Sequence, residues 1–173
     1  MDAGRTVREF SVEPQYESSI MDRSSLIWKR PGFLVRRLQQ IWVAVFINEC
    51  SEVEITPVQW GVLSMVSENP GVGQIEISEE LGLDRSNVAN VVNRLVKRGL
   101  LRQKLSPTDQ RKKDIAITKM GEKVMAQVEG SALRAQRKIL APLSDGEREV
   151  FIGLLTRLVR ENNHLGRAML RLT

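Results

Sequence analysis

The segment Leu83–Thr118 reads LDRSNVANVVNRLVKRGLLRQKLSPTDQRKKDIAIT and joins an amphipathic helix to a two-stranded hairpin. Between Arg85 and Lys113 it contains nine Lys or Arg residues and a single acid, Asp109, which gives a net charge of +8. The whole chain carries +5, so the residues outside this range sum to −3. Because the positive charge is concentrated on one helix and one hairpin, the pattern predicts a surface that binds phosphates.

A glycine-containing turn connects this helix to a shorter helix before it. The shorter helix is predicted over Gln74–Leu81 and ends at Gly82, a left-handed C-cap. Asp84 is the predicted N-cap of the next helix, Arg85–Arg98, which ends at Gly99. Two short helices separated by such a turn are typical of a helix-turn-helix.

The polar face of the helix Arg85–Arg98 contains the candidate DNA contacts. Its inward face is apolar and consists of Val88, Val91, Val92 and Leu95. Its outward face combines short polar side chains with long bases: Arg85, Ser86, Asn87, Asn90 and Arg94. A helix of this kind fits the major groove of B-DNA, where asparagine pairs with adenine and arginine with guanine. We therefore expect Arg85, Asn87 and Asn90 to read bases, and Ser86 to contact a phosphate.

The hairpin is predicted as two strands, Leu100–Leu105 and Asp114–Ile117, joined by a turn that begins with residues 106–109. Its tip is too basic for an ordinary turn. We expect Arg111 to enter the minor groove, where narrow A·T tracts attract arginine, and Asp109 to hold that side chain. The flanking bases are predicted phosphate anchors: Arg102, Lys104, Lys112 and Lys113.

A basic hairpin is also compatible with the solvated surface of a helical protein that has another function. The combination of a helix-turn-helix, a basic hairpin and segregated charge favours DNA binding. An enzyme is not expected, because the sequence shows no phosphate loop, nucleophile elbow or metal-binding constellation. With one cysteine, Cys50, and one histidine, His164, neither a metal site nor a cofactor is expected.

Apolar helices flank this module. One begins at Pro31 and is apolar nearly all round, which predicts burial in a core or between subunits. Thr56 and Gln59 form a capping box before the next helix, a long helix is predicted over Thr118–Leu140, and Ser144 starts a second capping box before the last helix. A narrow seam on that last helix predicts a partner helix. The seam consists of Phe151, Leu154, Leu158, Leu165, Met169 and Leu172.

Residues 1–30 show no helical or strand periodicity and are predicted as a partly irregular arm. They contain acids and no apolar segment of a secretory signal. No apolar run reaches the roughly 18 residues that a membrane span needs. We therefore expect a cytoplasmic protein without a membrane partner, and a single cysteine fits that reducing compartment.

With these motifs in this order, the sequence resembles the MarR family of winged helix-turn-helix repressors. The resemblance covers about residues 31–165 and depends on the spacing of several blocks. These blocks are Thr56–Trp60, Leu81–Val88, Val92–Leu100, Asp109–Lys112 and Ile117–Gly121. The implied fold is mainly α with a small β wing. A single domain over residues 31–173 would hold a winged helix-turn-helix lobe at about 56–118 and dimerisation helices at about 31–50 and 119–173.

The resemblance also implies an obligate homodimer, a pseudo-palindromic DNA operator and a small-ligand pocket between the dimerisation helices and the DNA-binding lobe. The stretch Arg30–Leu38 is similar to family members that control aromatic-acid catabolism, in which an arginine of the first helix can hold the ligand's carboxylate. Arg36 and Arg37 are the candidates here, with an ion pair between helices or subunits as the alternative. Trp60 is either a wall of the pocket or a core residue.

We therefore expect a sequence-specific transcriptional regulator, a repressor released from its operator by a small aromatic carboxylate or its CoA thioester. The alternatives are an architectural DNA-binding protein and a redox-sensing regulator, neither of which needs an aromatic ligand. Redox sensing requires a cysteine whose pKa is lowered by nearby cations. Cys50 instead has Glu49, Glu52 and Glu54 close in sequence, which favours the thiol and predicts an inert cysteine.

Overall fold

The computed structural model describes residues 26–107, 112–166, 168 and 170, which divide between two compact units, residues 1–40 and residues 41–173. Helix α1 (Pro31–Glu49) begins in the first unit and ends in the second. The remaining α-helices and both strands belong to the second unit. In chain order they are α2 (Pro57–Glu68), α3 (Gln74–Leu81), α4 (Arg85–Lys97), β1 (Leu101–Leu105), β2 (Lys113–Ile117), α5 (Lys119–Leu140) and α6 (Asp145–Asn162).

The first unit is described from Leu26 onward, so most of the predicted arm lies outside the described residues. Its last part, Leu26–Lys29, is a short 3-10 helix, and the ring of Trp28 packs edge-on against Phe33 with centroids 4.9 Å apart. In this part of α1, Leu34 and Val35 are exposed and Phe33 is half-buried. Phe46, in the later part of α1, is fully buried in the core, whereas burial of the helix between subunits stays a prediction.

The starts of α2 and α6 follow the predicted capping signals, and α5 begins with a cap that was not predicted. The backbone N–H of Gln59 donates to the Thr56 hydroxyl at 3.3 Å, and the Gln59 side-chain oxygen accepts from the Thr56 N–H at 3.0 Å. Thr118 is the N-cap of α5, and its hydroxyl oxygen accepts from the Gly121 N–H at 3.1 Å. At the start of α6 the Glu147 carboxylate accepts from the Ser144 N–H at 2.7 Å. These caps fix where α2, α5 and α6 begin.

The turn between α3 and α4 is closed as predicted by Gly82, whose φ of +59° lies in the left-handed region. The Ser78 hydroxyl donates to the Leu83 carbonyl at 2.5 Å, which fastens the turn to α3. Asp84 occupies the N-cap position of α4, but its side chain makes no capping hydrogen bond. The position of that cap was predicted correctly, whereas the use of its carboxylate was not.

The wing is an antiparallel pair of strands in which Leu101 lies opposite Ile117 and Leu105 lies opposite Lys113. β1 begins one residue later than predicted, because Leu100 still belongs to the end of α4. The Leu100 N–H donates to the Leu95 carbonyl at 2.9 Å across Gly99, which has a φ of +71°. This arrangement is the Schellman ending of a helix.

One continuous core joins the helix-turn-helix to α1, α5 and the wing. Its largest fully buried side chains are Phe46, Ile55, Leu63, Ile77, Leu95, Leu101 and Ile115. The chain packs tightly where α5 meets the start of the wing, since a Cβ at Gly121 would lie 2.2 Å from the Leu100 carbonyl oxygen. The wing and α5 are therefore fixed relative to α4, which positions the outward face described next.

The end of α6 differs from the prediction. The helix ends at Asn162 and is followed by the 3-10 turn Asn163–Leu165, and Gly166 is extended. The Asn163 side chain donates to the Leu170 carbonyl at 2.8 Å and accepts from the Leu170 N–H at 2.9 Å. Leu165, the one described seam residue after Asn162, therefore lies in the 3-10 turn and not in the predicted α-helix. The last two residues of the seam, Met169 and Leu172, lie outside the described residues.

Candidate nucleic-acid interface

Helix α4 separates a buried face from an exposed polar face as predicted. Val88, Val92 and Leu95 have no exposed surface, and Val91 is 8% exposed. The opposite face is exposed along its length and consists of Arg85, Ser86, Asn87, Asn90 and Arg94. The buried valines hold this helix against the core, so its polar side chains are presented by a rigid element.

The start of α4 offers backbone donors as well as side chains. The first N–H groups of a helix have no intrahelical partner, and here they belong to Arg85, Ser86 and Asn87. The Asp84 carboxylate does not bond to them. A phosphate at this helix end would therefore meet open donors together with the Ser86 hydroxyl and the Arg85 guanidinium.

The four predicted phosphate anchors within the described wing lie in two groups. Arg102 and Lys104 are exposed on one face of β1. Lys112 and Lys113 instead line a cavity of about 300 Å³ together with Gln74 and neighbouring residues at the start of α3. The structure thus brings the second pair beside the first helix of the helix-turn-helix, an association that the sequence analysis did not predict.

The tip of the wing was predicted to hold Asp109 and Arg111, and both lie outside the described residues. Their roles stay predictions. Another base of the segment, Arg98, has a structural contact. One terminal nitrogen of its guanidinium donates to the Glu54 carbonyl at 2.8 Å, and the other donates to the Val53 carbonyl at 2.8 Å. Arg98 was not among the predicted DNA contacts, and no local sequence signal identified these partners.

A cavity of about 630 Å³ lies between α2, α3 and α5. Trp60, Met65 and Met125 give it apolar walls, and its acids are Glu68, Glu80 and Glu129. The Trp60 indole Nε1 is buried and has no hydrogen-bond acceptor among the described residues. The cavity therefore offers an aromatic wall and an unused donor, but the described residues of its lining include no Lys or Arg to balance an anion.

The predicted carboxylate-binding arginines are described in the first unit alone. The Arg36 guanidinium lies over the Phe33 ring at 5.6 Å from the centroid. The Arg37 guanidinium donates to the Gln40 side chain at 3.4 Å. Both side chains are exposed, and neither is in an ion pair within the described part of the chain. Their role in ligand binding stays a prediction.

The remaining reactive side chains do not form a site. Cys50 is 1% exposed, and burial raises the pKa of its thiol, while a hydrogen bond with Ser131 opposes that shift. His164 lies in the exposed 3-10 turn after α6. Among the described residues no group of three or more metal-binding side chains occurs. Within the same residues, no helix is both long and apolar enough to cross a membrane.

Known proteins with this geometry are regulators of transcription. The family model described as "MarR family" matches residues 54–112, which run from just before α2 to the residue before β2. A protein of Thauera aromatica named for transcriptional regulation of the hcr operon is 35% identical over 133 residues, which cover 76% of this chain and 80% of that protein. The chain belongs to the MarR family. Like its relatives, this MarR-family protein is a DNA-binding transcriptional regulator.

Two solved structures extend the comparison. The PcaV transcriptional regulator of Streptomyces coelicolor, solved in complex with its natural ligand, is 37% identical to this MarR-family protein. It has a TM-score of 0.73, and the match covers 79% of this chain and 95% of that one. BpsR of Bordetella bronchiseptica, whose DNA binding is regulated by 6-hydroxynicotinic acid, is 25% identical with a TM-score of 0.71. That match covers 75% of this chain and 93% of BpsR.

Proposed function

We propose that this protein is a homodimeric, sequence-specific repressor that leaves a pseudo-palindromic operator when it binds a small aromatic carboxylate or the CoA thioester of one. The observation that carries the proposal is the exposed polar face of α4, where Arg85, Asn87 and Asn90 lie opposite a fully buried valine face. Such a face presents the side chains that recognise guanine and adenine in the major groove. The wing bases add contacts to the phosphates beside it.

The proposed homodimer is supported by the exposed apolar surface of α6. Helix α6 exposes several large apolar side chains, among them Leu154 and Leu158 one turn apart, with Leu158 57% exposed. Exposed apolar surfaces of this kind are typical of subunit interfaces. A two-fold dimer would place two α4 helices in successive major grooves, about 34 Å apart. A palindromic operator with half-sites roughly 10 base pairs apart follows from that symmetry.

The effector class is supported by two separate observations. BpsR, a protein of the same fold, is regulated by an aromatic acid. The cavity at Trp60 offers an apolar aromatic wall and one buried donor, features that bind planar ligands. Arg36 and Arg37 are the proposed partners of the ligand's carboxylate, and this assignment is independent of the Trp60 cavity. Effector and operator favour different states, so each should weaken the binding of the other by the same factor.

Operator release tests the proposal. Duplexes selected from a random library with the purified dimer provide the operator, and fluorescence anisotropy measures its release during titration with aromatic acids and their CoA thioesters. The amide of each active acid is the matched control, because it keeps the ring and loses the charge. Arg36→Gln and Arg37→Gln should reveal which arginine distinguishes acid from amide. Selection without any enriched sequence would contradict sequence-specific binding. An operator that stays fully bound in the presence of every ligand would favour an architectural role.

Redox sensing is the less favoured alternative because of the state of Cys50. Oxidation requires an accessible thiolate, whereas this thiol is buried and burial raises its pKa. Treatment of the operator complex with peroxide should therefore leave DNA affinity unchanged, and Cys50→Ser should bind like the wild type. A peroxide-dependent release that Cys50→Ser abolishes would favour the redox alternative.

A further inference from the structure

Arg98 stands out among the bases of the DNA-binding segment because both ends of its guanidinium are engaged by the protein itself. It is the C-cap residue of α4, and it bridges from there to two consecutive backbone carbonyls, those of Val53 and Glu54. Both donor–acceptor distances are 2.8 Å. The planar fork of an arginine can span two neighbouring acceptors, whereas the ammonium group of a lysine is a single point.

The two carbonyls belong to a rigid linker, residues 50–56, between α1 and α2. Cys50 and Ile55 are each 1% exposed, so the linker is anchored in the core near both ends. The Cys50 carbonyl accepts from the N–H groups of Val53, at 3.1 Å, and Glu54, at 2.9 Å. Glu54 has a φ of +50°, a left-handed conformation that a non-glycine residue adopts only when its surroundings hold it. Arg98 therefore attaches the end of α4 to a fixed point.

The residue just before this linker, Glu49, is paired with α5. Glu49, the last residue of α1, accepts a hydrogen bond from the Arg134 Nε at 2.9 Å and pairs with Lys138 as well. Arg98 and Glu49 thus connect α4 and α5 through one short stretch of chain. These polar contacts therefore hold the C-terminal end of α4, in addition to its buried valines.

We propose that Arg98 is a positioning residue for DNA recognition, which sets the direction of α4 by holding its C-terminal end on the 50–56 linker, and that it is not a phosphate contact. The proposal depends on operator binding by α4, as set out under the proposed function. Helix α4 has 13 residues and is therefore about 20 Å long at about 1.5 Å per residue. A rotation of about 5° at the Arg98 end would displace the base-reading end by roughly 1.7 Å. That distance is enough to misalign a bidentate pair with a base.

Salt dependence of operator binding separates positioning from phosphate contact. Arg98→Gln removes the fork and the charge, and Lys112→Gln is the matched control at a predicted phosphate anchor. We expect Arg98→Gln to weaken operator affinity about five- to tenfold, the effect of one to two modest hydrogen bonds, with the slope of log K against log salt unchanged. Lys112→Gln should reduce that slope by about 0.9. Arg98→Lys should behave like Arg98→Gln, although it keeps the charge.

Each outcome decides the proposal. A slope reduced by about 0.9 in Arg98→Gln would show a phosphate contact. Unchanged affinity would show that the hydrogen bonds of Arg98 to the 50–56 linker do not position α4. Either result overturns the proposal. Full recovery by Arg98→Lys would also overturn it, because the charge alone would then suffice. If Arg98→Gln does not fold, the affinity of Arg98→Lys decides: a five- to tenfold loss supports positioning, and full affinity overturns it. A wild-type protein that enriches no duplex would contradict the proposed function instead.

Discussion

The outward face of α4 and the cavity at Trp60 are opposite kinds of surface within one compact unit. The α4 face is exposed, carries Arg85 and Arg94, and comes from a single helix. The cavity is partly enclosed, has Glu68, Glu80 and Glu129 in its lining, and is built from three helices. By its charge the α4 face is suited to a polyanion, whereas the described lining of the cavity is apolar and acidic and is better suited to an uncharged ring.

This contrast has a consequence for an aromatic acid as the effector. A carboxylate entering the Trp60 cavity would meet three acids and no Lys or Arg among the described lining residues, so the cavity favours the ring of such a ligand and not its charge. Arg36 and Arg37 stay the proposed partners of a ligand's carboxylate, independently of this cavity. A CoA thioester, whose acyl carbonyl is neutral, would avoid the conflict at the ring.

The largest expected effect comes from placing a charge on the buried side of α4. Val92 is fully buried, so Val92→Asp would leave an unpaired carboxylate in the core and should lower the free energy of unfolding by about 3–5 kcal/mol. Asn90→Ala on the exposed side should change it by no more than about 0.5 kcal/mol. Urea denaturation of both variants measures this difference. Equal losses would show that the two faces of α4 are not distinct.

The next largest effect concerns base reading by the exposed side. Asn87→Ala should remove one bidentate base contact and reduce discrimination at one operator position by about 1–3 kcal/mol. Because no phosphate contact is lost, the salt slope should stay at its wild-type value. Affinities for the operator and for single-base variants of it, measured across a salt series, check both points. A uniform loss of affinity for every duplex would contradict base reading by Asn87.

A smaller effect is expected at the cavity. Trp60→Phe keeps an aromatic wall but removes the unpaired indole N–H, so an effector that uses this donor should bind about tenfold more weakly. Trp42→Phe is the matched control, since Trp42 packs against Phe46 and does not line the cavity. Isothermal titration with the active ligand measures both affinities, and operator affinity without ligand should stay unchanged in each variant. Equal ligand affinity in wild type and Trp60→Phe would exclude this donor.

Sequence patterns predicted the helix starts, the Gly82 turn and the two faces of α4 correctly because these features are local. The cap at Thr56, the left-handed Gly82 and the two faces of α4 all follow from neighbours within four or five residues. The long-range contacts had no such signal. Arg98 reaches carbonyls 44 and 45 residues away, and any residue can supply a carbonyl, so the composition of the linker gives no indication of the contact.

The lack of a local sequence signal also explains why the Trp60 cavity and the end of α6 were not predicted. The Trp60 cavity combines helices that lie up to some seventy positions apart in sequence, and only their packing decides whether Trp60 is core or wall. The end of α6 depends on the pairing of Asn163 with the backbone of Leu170, because an asparagine side chain offers the chain an alternative to the helix. The apolar spacing beyond Asn162 suggested a helix, but this local competition ended it.

The smallest effect is the pH dependence of the ion pairs that fasten α1 to α5. Hydrogen bonds from Lys138 and then Arg134 lower the pKa of Glu49 below its ordinary value. A carboxylate with a lowered pKa in the folded state stabilises the protein fully above its unfolded pKa, about 4.3 for glutamate, and this contribution is lost as the pH falls through the lowered value. The difference in unfolding free energy between wild type and Glu49→Gln should therefore be constant near neutral pH and vanish in acid. Glu147, whose pKa is also lowered, titrates in both proteins and cancels from the difference. Denaturant titrations from pH 7 to pH 2.5 measure it, and a difference that persists at the acid end would mean that Glu49 acts through packing and not through its charge.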